Sequence, residues 1–207
     1  MTMRSLRIIA RRELAQFFTS PIAYLVAFAI LVLTGFMFNS DLAQRIGQAP
    51  PDGTYVIGVF GFFTVFFAPL LTMRLFAEET REGTLELMLT MPVRDSDIVL
   101  GKFIGAWVYY SAILALTLVY QVVLLVVTQP APFQATGQLD IGPVISSYIG
   151  IWLFGGAALA IGLAFSALTE NQVIGGFLGI AVLFVLWLGA FAGQVVQNRT
   201  VAEAIRA

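Results

Sequence analysis

The sequence predicts an all-α, polytopic membrane bundle with five membrane-spanning helices. Of the 207 residues 59% are apolar, whereas only 11 are basic and 12 acidic. So few charges cannot cover that much apolar surface in water. The charges also fall in clusters between five long uncharged runs, and each run is long enough to cross a bilayer. We therefore expect one membrane domain over residues 1–207.

Two residue types are missing from the sequence, and their absence excludes several kinds of catalytic and metal-binding site. The chain has no Cys and no His, which excludes disulfides, thiol nucleophiles, iron–sulfur clusters, His-ligated metal sites and His-based catalytic triads. The net charge of −1 gives no support for nucleic-acid binding. We expect no metal, cofactor or catalytic residue in this chain.

The first predicted element is an amphipathic helix over residues 4–18. Its apolar side chains lie on one side of a helical wheel, and its arginines lie on the other. Glu13 breaks the pattern, because it falls on the apolar side. Pro21 then separates this helix from the first span. The pattern is typical of a helix in the membrane interface. Two interpretations stay open: a positively charged anchor, or an elbow helix that transmits motion into span one.

The five spans follow from the uncharged runs. The first is short for a bilayer core, so tilting or local thinning is expected there. Eight of the 11 basic residues lie before span one or between spans two and three, which places the N-terminus and the 74–102 loop in the cytoplasm. The predicted spans are about 22–38, 55–73, 103–128, 144–168 and 172–197.

The 74–102 loop is the one sizeable cytoplasmic segment. Gly83 and Pro92 interrupt it, which predicts a short helix over Thr84–Met91 with Thr84 as its N-cap. After the second break, Asp95 or Ser96 is expected to cap a helix that runs into span three. The segment is either a solvated loop helix or a docking surface for a soluble partner.

The sequence before span three does not form a phosphate-binding loop. That motif needs a Gly five residues before its Gly-Lys pair and a Ser or Thr directly after the pair. Around Gly101-Lys102, these two positions hold Ser96 and Phe103. We therefore expect no nucleotide site and no enzymatic activity in the chain itself.

The proposed spans contain no Asp, Glu, Lys or Arg, which argues against a proton antiporter. Small residues recur four apart in spans four and five, and such spacing permits helices to approach closely. We expect Ala158, Gly162, Gly175 and Gly179 to pack these spans as an antiparallel hairpin. Gln121 and Gln194 are expected to bond to neighbouring helices.

Several motifs carry a resemblance to a known family. Glu78-Glu79, Gly83-Thr84-Leu85-Glu86, Pro92-Val93 and Val99-Leu100-Gly101-Lys102 occur in the order seen in the first cytoplasmic loop of type-2 ABC exporter permeases. Arg12-Glu13-Leu14, Ser20-Pro21-Ile22-Ala23-Tyr24 and Leu168-Thr169-Glu170-Asn171-Gln172 are similar to the gliding-motility-type branch. The resemblance covers essentially the whole chain.

The resemblance implies a permease subunit of the bacterial plasma membrane. It would pair with a second permease copy or a similar permease, and a separate ABC ATPase would bind ATP and Mg. In that family the loop supplies a coupling helix that sits in a cleft of the ATPase. Family permeases have six spans, so five suggest a truncated gene product. The coupling contacts implied are Glu78, Glu79, Gly83, Thr84, Glu86, Leu87 and Pro92.

Two functions remain open from the sequence. The first is an ATP-driven exporter subunit, coupled to its ATPase through the 74–102 loop. The alternative is a membrane scaffold that anchors a cytoplasmic partner and transports nothing. The cargo cannot be read from the residues.

Overall fold

The chain folds as a bundle of α-helices. The computed structural model describes residues 2–45, 49–50, 52–83, 94–128 and 140–206, and every regular element in those ranges is an α-helix. Five helical stretches are long and apolar enough to cross a membrane, which confirms the predicted five-span, all-α fold. The helices are α1 (Thr2–Thr19), α2 (Pro21–Arg45), α3 (Thr54–Thr72), α4 (Arg74–Arg81), α5 (Asp95–Leu116), α6 (Leu118–Thr128), α7 (Ile141–Ala167) and α8 (Gln172–Arg206).

The first span is longer than its uncharged run. α2 continues beyond residue 38 to Arg45, so its 25 residues extend over about 38 Å. Arg45 Nε lies 2.7 Å from Asp41 Oδ2, a pairing one turn apart that supports the extra turns. The arginine also stands at the negative end of the helix dipole. The helix therefore extends beyond the predicted span 22–38, because polar residues continue it for almost two further turns.

The third span consists of two helices. α5 begins at Asp95, and Arg94 occupies the N-cap position without a side-chain cap. The expected cap by Asp95 or Ser96 was therefore wrong. Thr117 separates α5 from α6, and its Oγ1 shares a hydrogen bond with Tyr148 Oη at 3.0 Å. This bond ties the break in span three to α7.

The second span is the most buried of the five, and it organises the bundle. α3 packs against α7, α2 and α8, whereas α1 packs mainly on α5. Phe17 of α1 stacks on Tyr109 of α5 with ring centroids 5.0 Å apart. Tyr109 Oη also donates to the carbonyl of Ala23, at the start of α2. The corner between α1 and α2 is thus held against span three.

The two ends of the bundle carry different groups. The loop end, which carries residues 74–83 and 94–102, also holds α1 and the 168–172 turn. The opposite end holds the start of α3 and the end of α2. There Gln121 Nε2 donates to the Gly53 carbonyl at 2.8 Å, so Gln121 bonds between helices as predicted.

A compact ion cluster closes the opposite end. Arg45 Nη2 lies 3.4 Å from Asp52 Oδ2, while Asp52 Oδ1 accepts bonds from both the N–H and the hydroxyl of Thr54. Burial raises the pKa of Asp52, but the bonds from Thr54 and the charge of Arg45 outweigh it, and the net pKa is lowered.

Candidate functional site

Span two breaks at the loop end, and a serine from span four caps the new helix. α3 ends at Thr72, Met73 forms a turn, and α4 follows without a side-chain cap of its own. Ser166 of α7 is fully buried, and its Oγ accepts from the N–H groups of Phe76 and Ala77 at 3.1 and 3.3 Å. The same Oγ donates to the Met73 carbonyl at 2.8 Å. Because the first N–H groups of a helix lack partners within it, Ser166 does the work of an N-cap from another helix.

A left-handed glycine follows α4. The Glu82 N–H donates to the Glu78 carbonyl at 3.0 Å, and the Gly83 N–H donates to the Thr80 carbonyl at 3.2 Å. Gly83 has a φ of +69°, and nothing lies within 4 Å of the position that a Cβ would take. The requirement for glycine is therefore conformational, not steric. In the described structure Gly83 ends a helix.

Three of the seven implied coupling residues lie in the described part of the chain, and four lie outside it. Glu78 is half-buried on α4, Gly83 is exposed, and Glu79 is turned inward towards Lys102. The helix predicted over Thr84–Met91 lies outside the described residues. So do four of the implied contacts, namely Thr84, Glu86, Leu87 and Pro92. The structure thus describes the two roots of the loop, residues 74–83 and 94–102.

A buried ion triad joins the two roots to α1. Lys102 Nζ lies 3.1 Å from Glu13 Oε1 and 2.8 Å from Glu79 Oε1. The side chains of Lys102 and Glu13 are 1% exposed and that of Glu79 is 14% exposed. The ammonium also lies 5.2 Å from the centroid of the Phe76 ring. We call Glu13, Lys102 and Glu79 the ion triad.

α1 approaches α5 closely beside the triad. A Cβ on Gly101 would lie 2.6 Å from Ile9 Cγ2, and one on Gly105 would lie 2.8 Å from Glu13 Cβ and 3.3 Å from the Ala10 carbonyl. Two glycines four residues apart therefore form the groove that receives α1. This pair was missed in the sequence, because its first member precedes the uncharged run.

Sequence reasoning also missed the roles of Glu13, Lys102 and Ser166. Glu13 was noted as a fault in an amphipathic pattern, and Lys102 was counted only as a cytoplasmic charge. A carboxylate on the apolar side of a helix was the available signal, since a buried charge needs a partner. Nothing local marks Ser166, whose partners lie 89 to 93 residues away.

The small residues of spans four and five lie at a three-helix junction. Ala158 is fully buried on α7. A Cβ on Gly162 would collide with the Thr72 side chain, and one on Gly179 would lie 3.0 Å from Pro69 Cβ and 3.5 Å from Gly162 Cα. These two glycines thus bring α7 and α8 against each other and against α3. Gly175 sits nearer the turn, where its Cβ would lie 3.3 Å from the Phe165 carbonyl.

An open cleft of about 340 Å³ lies at the loop end. Arg81, at the end of α4, forms one part of its lining, and residues 170–173 form the rest. The turn between spans four and five therefore lies beside the first root of the loop.

The sequence profile described as ABC-2 family transporter protein matches residues 52–205. The chain belongs to this family. The match includes Glu79, Lys102, Ser166 and the glycines of the three-helix junction, whereas Glu13 precedes it. A comparison with curated proteins returns no match. An ABC-2 family protein of this kind is the membrane permease component of an ABC transporter, not its ATPase, and the family normally works with an ABC ATPase.

Proposed function

We propose that this ABC-2 permease couples ATP hydrolysis on a separate ABC ATPase to export of a cargo, through its 74–102 loop. ATP and Mg bind to the ATPase, and this chain supplies the membrane path and the docking loop. The observation that carries the proposal is the fixation of the loop. Ser166 fastens its first root to α7, and Lys102 fastens both roots to α1.

The proposed topology has the loop end in the cytoplasm. Eight of the 11 basic residues favour it, because Lys and Arg accumulate on that side. Arg45, at the opposite end, is paired with Asp41 and Asp52, so this arginine adds no net positive charge there. The chain has no cysteine, so single substitutions can be labelled cleanly. In intact spheroplasts a membrane-impermeant maleimide should label Asp140→Cys and not Glu82→Cys, which should react only after permeabilisation.

The proposed partners are an ABC ATPase and a second permease copy or a similar permease, in a bacterial plasma membrane. The coupling contacts are Glu78, Gly83 and the residues Thr84, Glu86, Leu87 and Pro92, while Glu79 acts from the inner side of α4 through Lys102. The motifs around Glu13 and Pro21 support placement in the gliding-motility-type branch.

The test is ATPase binding by the tagged full chain in native membranes. We expect an ABC ATPase to co-purify with the wild type and with a variant that scrambles Gln134-Ala135-Thr136-Gly137. Scrambling Gly83-Thr84-Leu85-Glu86 should abolish this binding. The two tetrads match in length and both contain Gly and Thr, so the second variant shows whether scrambling a loop tetrad is enough to remove binding. Because Gly83 has a positive φ, the melting temperature of the first variant is measured as well, which separates a folding defect from lost binding.

Transport separates the two functions that the sequence left open. Vesicles that contain the complex should accumulate cargo only with hydrolysable ATP, measured against a panel of amphipathic compounds, lipids and peptides. A complex that binds its ATPase normally and moves none of these would favour the scaffold. A permease that binds no ATPase, or binds equally well with the loop tetrad scrambled, would refute the proposal.

A further inference from the structure

The ion triad connects parts of the chain that otherwise pack on different helices. α1 packs mainly on α5, whereas α4 packs on α7. Each member of the triad comes from a different helix: Glu13 from α1, Glu79 from α4 and Lys102 from α5. Both carboxylates lie within 3.1 Å of the Lys102 ammonium nitrogen. The triad is therefore a direct bridge from the first helix of the loop to α1.

Stability alone does not account for such a bridge. Removing charges from water is costly, and well-packed apolar residues often replace a buried ion network without loss of stability. Apolar contacts could hold α1 on α5, because Gly101 and Gly105 already allow the two helices to approach closely. The ammonium adds a fixed geometry, because it holds the Glu13 and Glu79 carboxylates in a defined position relative to each other.

α1 is in turn well placed to act on span one. Ser20 alone separates α1 from α2, and Pro21 is the first residue of α2. Proline suits this position, because its fixed φ is compatible with the first helical turn and its missing N–H is not needed there. A displacement of α1 would thus be delivered directly to the start of the first span.

We propose that Lys102 is a positioning residue that makes α1 move with α4 when the 74–102 loop is displaced. The inference rests on the proposed coupling function and adds a path for it. Motion of the loop passes from Glu79 through the Lys102 ammonium to Glu13, then through α1 to span one.

The decisive variant removes the bridge without leaving the ammonium or Glu13 charged. Glu13→Gln with Lys102→Met, called here the neutral pair, keeps similar side-chain volumes. Glu79 remains, and it is partly exposed to water. Because the Glu79 side chain is only 14% exposed and loses the ammonium, the melting temperature should fall below that of the wild type. Lys102→Met alone should be less stable, since it leaves two carboxylates together. Arg11→Gln, an exposed change on α1, is the matched control.

Spin labels measure whether α1 follows α4. Cysteines at Ile8 on α1 and Glu82 after α4 are exposed, and Ile149 on α7 serves as the reference. In the permease alone, electron–electron distances between α1 and Glu82 should form one narrow distribution in wild type and Arg11→Gln. The distribution should broaden in the neutral pair. If the distance distribution is equally wide in the wild type, in Arg11→Gln and in the neutral pair, the inference is overturned, independently of the ATPase.

The full complex measures transmission. On trapping with ATP and Mg, the labels at Glu82 and at Ile8 should both shift relative to the reference in wild type. In the neutral pair the Glu82 shift should persist, and the Ile8 shift should be lost. An undiminished Ile8 shift, or a wild type in which only Glu82 moves, would overturn the inference. No nucleotide-dependent shift at Glu82 in wild type would instead refute the proposed coupling function.

Discussion

The trans cap by Ser166 gives the sharpest test of how the loop is anchored. The change is Ser166→Ala, which removes one oxygen from a fully buried position without adding volume. That oxygen accepts from the N–H groups of Phe76 and Ala77 and donates to the Met73 carbonyl. The substitution leaves the start of α4 uncapped, because Met73 provides no side-chain bond.

The magnitude follows from the bonds that are lost. A buried N–H group that loses its acceptor, here that of Phe76, costs about 1–3 kcal/mol. The bonds to Ala77 and Met73 add about 1 kcal/mol together, since hydrogen bonds between membrane helices average about 0.6 kcal/mol each. We expect Ser166→Ala to lower the free energy of unfolding by about 2–4 kcal/mol. The amide of Phe76 should also exchange faster.

Ser146→Ala is the matched control. Ser146 lies on the same helix, is exposed, and bonds only to the carbonyls of Gly142 and Pro143 within that helix. Its loss should cost less than about 0.5 kcal/mol. The assay is equilibrium unfolding in lipid nanodiscs, with hydrogen exchange read at Phe76. If Ser166→Ala costs no more than Ser146→Ala, or leaves the Phe76 amide equally protected, Ser166 is not the cap of α4.

Three further changes test packing, conformation and charge. Gly162→Ala should lower the free energy of unfolding by about 1–3 kcal/mol, because the added methyl group overpacks the junction. Gly150 lies on the same helix with open space around its Cβ position, so Gly150→Ala should be neutral or stabilising. Equal effects of the two changes in unfolding titrations would contradict the packing. Gly83→Ala should cost about 1–2 kcal/mol through its positive φ, and a stabilising effect would contradict that conformation. The pKa of Asp52 is lowered, so its contribution to stability is complete above the ordinary value and disappears as the pH falls through the lowered one. Protection of the Thr54 amide, referenced to Asp52→Asn, should therefore fall only in acid; protection that does not depend on the Asp52 carboxylate would refute this.

The fold was predictable because the bilayer dictates it. A helix must be about 20 residues long to cross, and few charges are tolerated within it, so five uncharged runs gave five spans. The helix ends were less predictable, because polar residues can continue a helix beyond the apolar core. α2 illustrates this, since the bond between Asp41 and Arg45 supports turns that the apolar run does not include.

The candidate site was only half predictable. Gly83 and the glutamates of α4 stand in a local pattern that a sequence displays. Glu13 and Lys102 are 89 residues apart, and only the folded bundle brings them together. The anomaly at Glu13 was visible in the sequence, but its partner could not be chosen among the basic residues predicted on the same side without knowing that α1 packs on α5.

The anchoring of the loop roots decides how the proposed motion spreads. Allosteric coupling free energies are typically about 1–3 kcal/mol. Breaking one partner from a buried ion pair costs about 3–5 kcal/mol, and we estimate about 2–4 kcal/mol for loss of the Ser166 cap. Detaching either root of the loop therefore costs more free energy than allosteric coupling typically supplies. A push on the loop should carry Glu79, Lys102 and Ser166 along with it, so α1, the start of α5 and the loop end of α7 respond together, and residues 74–83 do not absorb the motion by local bending.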